Sequence, residues 1–159
     1  MNYLNEAYLK KLRSTASRSN MDFKLGAIVI DSLGNSYTGY NYNTSRGSSS
    51  LHAEMAALEK CLRQYRLLKY VKLLLKHKGL RRKLKQIKPN LTSLRCTIIV
   101  IRFDKHGSIK CSRPCSDCQH IFNVCKLLGI KFKIIHADET HKLVNYTGST
   151  KFSNNGIYC

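Results

Sequence analysis

Two short motifs, each reading as the start of a helix, constrain this chain more than any other feature. The first is His52-Ala53-Glu54 and the second is Pro114-Cys115-Ser116-Asp117-Cys118. Cysteines at i and i+3 fall on one helical face, so both sulfurs can reach one ion. The positive end of a helix also favours their thiolate forms. With His52 added, three protein ligands leave a fourth tetrahedral position for water, the pattern of a catalytic rather than a structural zinc. Any fold that satisfies this must bring together two helix N-termini that lie 63 positions apart. Glu54, two residues after the histidine, then sits near the Zn2+ without ligating it and is placed to carry a proton.

The rest of the chain reads as a frame for those two helix starts. Residues 3–18 have apolar positions at helical spacing (Leu4, Ala7, Tyr8, Leu12). Residues 24–31 and 36–42 read as two strands around the turn Ser32-Leu33-Gly34-Asn35. A polar loop over 43–50 ends in serines suited to capping a helix that begins near Leu51. Residues 94–103 form the clearest strand, rich in β-branched side chains. A helix over 115–128, stopped by Gly129, leads to a strand over 130–137. The order is α-β-β-α-β-α-β, and the helix between the last two strands makes them parallel. At 159 residues this is one domain, with residues 138–159 as a polar, flexible tail.

Charge sets the second constraint. The chain carries 28 Lys+Arg against 9 Asp+Glu, a net charge of +19, and such a field attracts polyanions, nucleic acid above all. The excess is concentrated. From Lys60 to Lys88 there are twelve basic residues and no acid. Lys60, Arg63, Arg66, Lys69, Lys72 and Lys76 recur every three or four residues, opposite Leu58, Leu62, Tyr65, Leu68, Val71 and Leu75. This predicts one long amphipathic helix with a basic stripe, ended by Gly79. Arg81, Arg82 and Lys83 head a second cluster that runs on to Lys88 and Pro89. These cations are the candidate contacts for single-stranded DNA or RNA. The N-terminus lacks a signal-like apolar run, and no stretch is long enough to span a membrane, so the chain reads as intracellular. Of its seven cysteines, Cys111 and Cys125 flank the second motif and read as incidental thiols.

With these residues in view, the chain resembles the cytidine deaminase superfamily, whose zinc motif is H-x-E…P-C-x-x-C. The matching pieces are LGAIVID (25–31), GYN (39–41), LHAEMAAL (51–58), CTIIVI (96–101), SRPCSDC (112–118) and GIKFKIIHAD (129–138). The resemblance implies an α/β fold, a three-layer α-β-α sheet with flanking helices and zinc pinned between two helix N-termini. It implies hydrolytic deamination of a nucleobase, with Glu54 as the proton carrier. It also implies that Asn41 on the second strand contacts substrate, with Ala53, Ser112 and Pro114 as further substrate-binding candidates. Two departures stand out. The gap between His52 and Cys115 is wider than the family's usual one, which marks residues 63–90 as a basic insertion. Arg113 stands where tRNA adenosine deaminases usually carry Glu, which favours cytosine over adenine.

The expected reaction is therefore cytosine to uracil in single-stranded nucleic acid. The alternatives are deamination of free (deoxy)cytidine or deoxycytidylate, adenosine-to-inosine conversion in tRNA, and a zinc-stabilised nucleic-acid-binding module without chemistry. A free nucleotide is thus a second candidate partner. Many members of the superfamily associate, so an oligomer fits as well.

Overall fold

The computed structural model describes residues 5–44, 50–87 and 92–146. Its elements run α1 (Glu6–Ala16), β1 (Lys24–Asp31), β2 (Ser36–Tyr40), β3 (Tyr42–Asn43), β4 (Ser50–Leu51), α2 (Ala53–Gln64), α3 (Leu68–Lys76) and α4 (Lys78–Ile87). They continue with β5 (Arg95–Phe103), β6 (Ile109–Lys110), α5 (Ser116–Lys126), β7 (Lys131–Ala137) and β8 (Leu143–Asn145).

The main sheet is ordered β2-β1-β5-β7-β8, with β6 paired to β5. β1 is antiparallel to both β2 and β5, while β5 and β7 are parallel, as the helix between them requires. The pleat sends alternate residues to opposite faces. Ile28, Ile99, Ile101 and Ile135 meet Leu12 and Ala16 of α1 on one side. Ala27, Val29, Ile98 and Val100 meet Ala57, Leu58, Cys118 and Phe122 on the other. Two covered faces explain why β1 and β5 are apolar almost throughout. The three α-β-α layers expected from the sequence are present.

One contact sets the height of α2 on the sheet. A methyl at Gly39 of β2 would run into the Ala53 carbonyl and the Ala57 amide. The strand therefore carries no side chain where the first turn of α2 crosses it, and His52 and Glu54 are held at a fixed depth.

The structure corrects the sequence reading in four places. The single basic helix is two, α2 and α3, and the second basic cluster forms α4. The chain breaks after Gln64, turns through Arg66 at φ 57° and restarts at Leu68. Gly79 lies inside α4 and does not end a helix, because the break falls at His77, the C-cap of α3. The loop over 43–50 contributes Asn43 and Ser50 to the small β3–β4 pairing, and His52 occupies the N-cap of α2 without a side-chain cap bond. In the tail, β8 pairs with β7, and Tyr146 packs against the core and edges onto His136 with ring centroids 5.9 Å apart. Leu4, Lys88, Pro89 and residues 147–159 lie outside the described residues.

The new junction is anchored by Asp31, at the end of β1, which is only 5% exposed. One carboxylate oxygen accepts from the Leu33 and Asn35 amides. The other accepts from the Asn35 side chain and from the hydroxyls of Tyr37 and Tyr65, the latter at 2.7 Å. Burial alone would raise the pKa of this acid. The hydrogen bonds outweigh it and hold the carboxyl at about 2. The same bond raises the Tyr65 phenol. Asp31 thus closes the β1–β2 turn and ties the α2–α3 junction to the sheet.

Candidate metal centre and its cavity

His52 immediately precedes α2 and Cys115 immediately precedes α5, so each N-cap delivers a ligand and the first turn of α5 adds Cys118. The three ligand atoms lie within 4.8 Å of one another. His52 Nδ1 is 3.3 Å from Cys115 Sγ and 3.4 Å from Cys118 Sγ. A tetrahedral zinc with ordinary bond lengths asks for an N···S edge of about 3.6 Å, so the donor set and its spacing fit Zn2+. Hydrogen bonds from Cys118 and then His52 hold the Cys115 thiol far below its usual range, at about 3, while Cys115 and burial push Cys118 upward. Two sulfurs this close resist both becoming thiolates unless a cation lies between them, and zinc supplies that charge.

Glu54 projects from the first turn of α2 and is 3% exposed. Burial, reinforced by the negative charge of Cys115, pushes its carboxyl above the ordinary range, against the pull of its own backbone hydrogen bond and of His52. Glu54, His52 and Cys115 share a cavity of about 490 Å³. Met21, Phe23, Leu25, Ser50, Leu51, Arg102, Ser112 and Arg113 also line it, with Arg102 paired across the sheet to Leu25 and stacked on Phe23.

Residues 2–136 match the family model described as the cytidine and deoxycytidylate deaminase zinc-binding region. The chain belongs to that deaminase family. Solved structures agree on the fold. The cytidine deaminase from Burkholderia pseudomallei superposes with a TM-score of 0.56 at 14% identity, covering 90% of this chain and 91% of its own. That from Mycobacterium leprae gives 0.50 at 16% identity, covering 89% and 93%. No curated protein matches the sequence.

The deaminase cavity collects most of the residues singled out from the sequence. His52, Ala53, Glu54, Cys115, Asn41 and Ser112 all line it, and Pro114 does not. Asn41 is committed to the wall itself. Its Oδ1 accepts from the Leu25 amide at 2.7 Å, and its Nδ2 donates to the Phe23 carbonyl at 2.7 Å and to Met21 Sδ at 3.2 Å. The Ser112 hydroxyl donates to the Val100 carbonyl and accepts from the Ala137 amide, bridging β5 and β7 at the cavity edge. The Pro114 carbonyl accepts from Gln119 Nε2 inside the α5 cap.

The basic residues divide differently. Arg63, Arg66, Lys69, Lys72, Lys76, Arg82 and Lys83 are exposed. Lys60 donates to the Thr38 carbonyl, and Arg81 donates to the carbonyls of Leu74 and Leu75, closing the end of α3. Those two cations are structural ties. The sequence reading missed Met21, Phe23, Leu25 and Arg102 as cavity residues. They come from a coil and from strand ends, where no spacing announces them. Cys125 is a buried free thiol as expected, whereas Cys111 is disulfide-bonded and not a thiol.

Proposed function

We propose that this chain is a zinc-dependent deaminase that converts cytosine to uracil within single-stranded nucleic acid. The family gives the reaction class. The substrate reading rests on one observation: the exposed cations of α2, α3 and α4 have almost no carboxylates to pair with. Among the described residues only Arg63 is paired, with Glu59 at 3.5 Å. Counter-charge for the rest must come from outside the fold, and a phosphate backbone supplies it.

His52, Cys115 and Cys118 hold the zinc, which when bound supplies a Lewis acid that makes water acidic near neutrality. Glu54 takes the proton that the attacking water gives up. It gives that proton to the ring nitrogen beside C4, then takes the second proton from the new C4 hydroxyl and gives it to the amine, which leaves as ammonia as the C4 carbonyl forms. Cytosine and water thus become uracil and ammonia, with Glu54 restored. Its burial raises the carboxyl's proton affinity, which suits a group that both takes and gives protons. Asn41 fixes the wall of Met21, Phe23 and Leu25 against which a base would lie.

A second reading, turnover of a free cytidine nucleotide, is favoured by the cavity, whose volume falls in the range of small-ligand sites. The zinc-loaded protein would be incubated at low salt with deoxycytidine, deoxycytidine monophosphate, cytosine- and adenine-containing single-stranded DNA, and the matching RNAs. Glu54→Ala serves as the blank. Uracil formed in oligomers, with salt-sensitive binding, is the expected result. Product from the mononucleotide alone moves the assignment to the second reading, inosine moves it to adenosine deamination, and no product with zinc bound moves it to a binding module.

A further inference from the structure

We infer that Arg102 and Arg113 form a phosphate subsite at the cavity, so that the enzyme selects nucleotides over free nucleosides. The inference builds on the deaminase reading and names a determinant of its substrate class.

β5 ends at Phe103 and pairs with β6, Arg102 standing opposite Lys110. The chain then runs three residues on to Arg113, which brings two guanidiniums to the wall of one cavity. Neither is paired with a carboxylate among the described residues. Among the described residues the only acid lining the cavity is Glu54, buried at 3% exposure and assigned to proton transfer. Arg102 Cζ lies 4.6 Å from the ring centroid of Phe23, a residue 60% exposed, so the stack sets this guanidinium at the solvent edge. Phe23 is in turn fixed through the Asn41 bond to its carbonyl. The cavity therefore has a polar floor at His52, Cys115 and Glu54 and a cationic rim at Arg102, beside exposed Phe23, with Arg113 lining the same cavity.

Two unpaired arginines on one cavity of a +19 chain repel each other and attract an anion. Guanidinium is the side chain whose fork of N–H donors matches phosphate oxygens, and it keeps its charge at every working pH. A base seated against Glu54 carries its sugar and phosphate outward, toward that rim. The shared ligand chemistry is a phosphate ester on the nucleoside, whether the monoester of a free nucleotide or a diester of a strand.

The test is calorimetric and reads product binding, so it does not depend on turnover. Zinc-loaded wild type, Arg102→Met, Arg102→Lys, Arg113→Met and the control Lys10→Gln are titrated with three ligands. These are deoxyuridine, deoxyuridine 5′-monophosphate and a trinucleotide, with uracil at its centre, that lacks terminal phosphates. Wild type should prefer a phosphorylated ligand over the nucleoside by about tenfold or more. Each Met variant should erase most of that ratio, Arg102→Lys should keep part of it, and Lys10→Gln should leave it unchanged. Loss of the ratio for the monophosphate identifies a free nucleotide as the phosphate source, and loss for the trinucleotide identifies a strand. Equal wild-type affinity for nucleoside and nucleotides, or parallel weakening of all three ligands in the Met variants, overturns the inference. Deamination assays on the same samples keep the two claims separate. A protein that binds phosphate through these arginines yet releases no ammonia refutes the deaminase reading and leaves the subsite standing.

Discussion

The metal centre and the basic helices α3 and α4 lie at opposite ends of α2 and are built on opposite principles. Twelve residues of helix put about 18 Å between His52 and the turn at Tyr65. At the N-terminal end nearly everything is determined by packing. Glu54 and Cys118 are buried, Gly39 admits no side chain, and Asn41 is satisfied on every side. At the C-terminal end the sheet is reached mainly through one polar anchor, the Tyr65–Asp31 bond, and through the apolar faces of α3 and α4. Val71 and Leu74 are buried there, with Leu80 and Leu84 packed against the same core. The outward faces of those helices carry mostly charge, with Tyr70 and Leu73 of α3 exposed among the cations. Catalytic geometry demands fixed positions, whereas attraction of a polyanion demands only charge density. Substitutions should therefore act steeply at one end of α2 and additively at the other.

The largest effect belongs to Glu54. Glu54→Ala should lower deamination by about a thousandfold or more, while bound zinc, measured by metal analysis, and the unfolding midpoint stay close to wild type. A variant with residual activity near wild type would break the contrast at its strongest point. Next is the position that fixes the height of α2. Gly39→Val forces a side chain against the Ala53 carbonyl and the Ala57 amide, and should cost about 3 kcal/mol in urea unfolding. It should also reduce zinc content, because His52 rides on that first turn. Loss of stability with full zinc occupancy would show that the metal site tolerates movement of α2.

The same contrast explains what could be read in the sequence. The meeting of His52, Cys115 and Cys118, with Glu54 buried in the same cavity, was legible because these side chains stand at short, regular offsets beside helix starts. The layers were legible because β1 and β5 are apolar on both faces. The break at Arg66 was not, since a left-handed arginine carries none of the glycine or proline signals of a turn. Tyr65, just before the break, is tied to Asp31 34 residues away, and no local pattern encodes that pairing. The basic periodicity from Lys60 to Lys76 runs unbroken across the junction and points to one helix. Arg81 reads as a free cation for the same reason, although the carbonyls it caps belong to a helix whose end the periodicity does not mark. Arg102 escapes notice because strand position, not spacing, brings it to the cavity.

The anchor itself makes a pH prediction of intermediate size. Asp31 is held at about 2 against an ordinary 3.8, so its ionised form stabilises the fold above pH 4 and that contribution disappears as pH falls through 2. The difference is worth about 2 kcal/mol. Asp31→Asn should be less stable than wild type by about that amount at pH 6, and the two curves should converge toward pH 2. A gap that persists unchanged at pH 2 would mean that the carboxylate's hydrogen bonds are not what ties the junction down. Hydrogen exchange would locate the damage, and faster exchange in α3 than in α5 is the expected order.

The smallest effect should come from the charged surface, because each cation there neutralises one phosphate of many. Lys69, Lys72 and Lys76 lie on α3, all exposed. Changing the three to Gln should leave the unfolding midpoint within about 0.5 kcal/mol of wild type. Binding to single-stranded oligonucleotide should instead show a salt slope shallower by roughly 2, about 0.7 for each phosphate no longer neutralised. Deamination of a mononucleotide should not change, since these side chains stand beyond the C-terminal end of α2 and the proposed reaction centre lies at its N-terminus. If the slope is unaltered, α3 is an ordinary solvated surface and the strand runs elsewhere, with the cavity rim at Arg102 and Arg113 as the remaining cationic track. If mononucleotide turnover falls with it, the two ends of α2 are coupled. The rigid connection would then be α3 against α5, which carries Cys118 in its first turn.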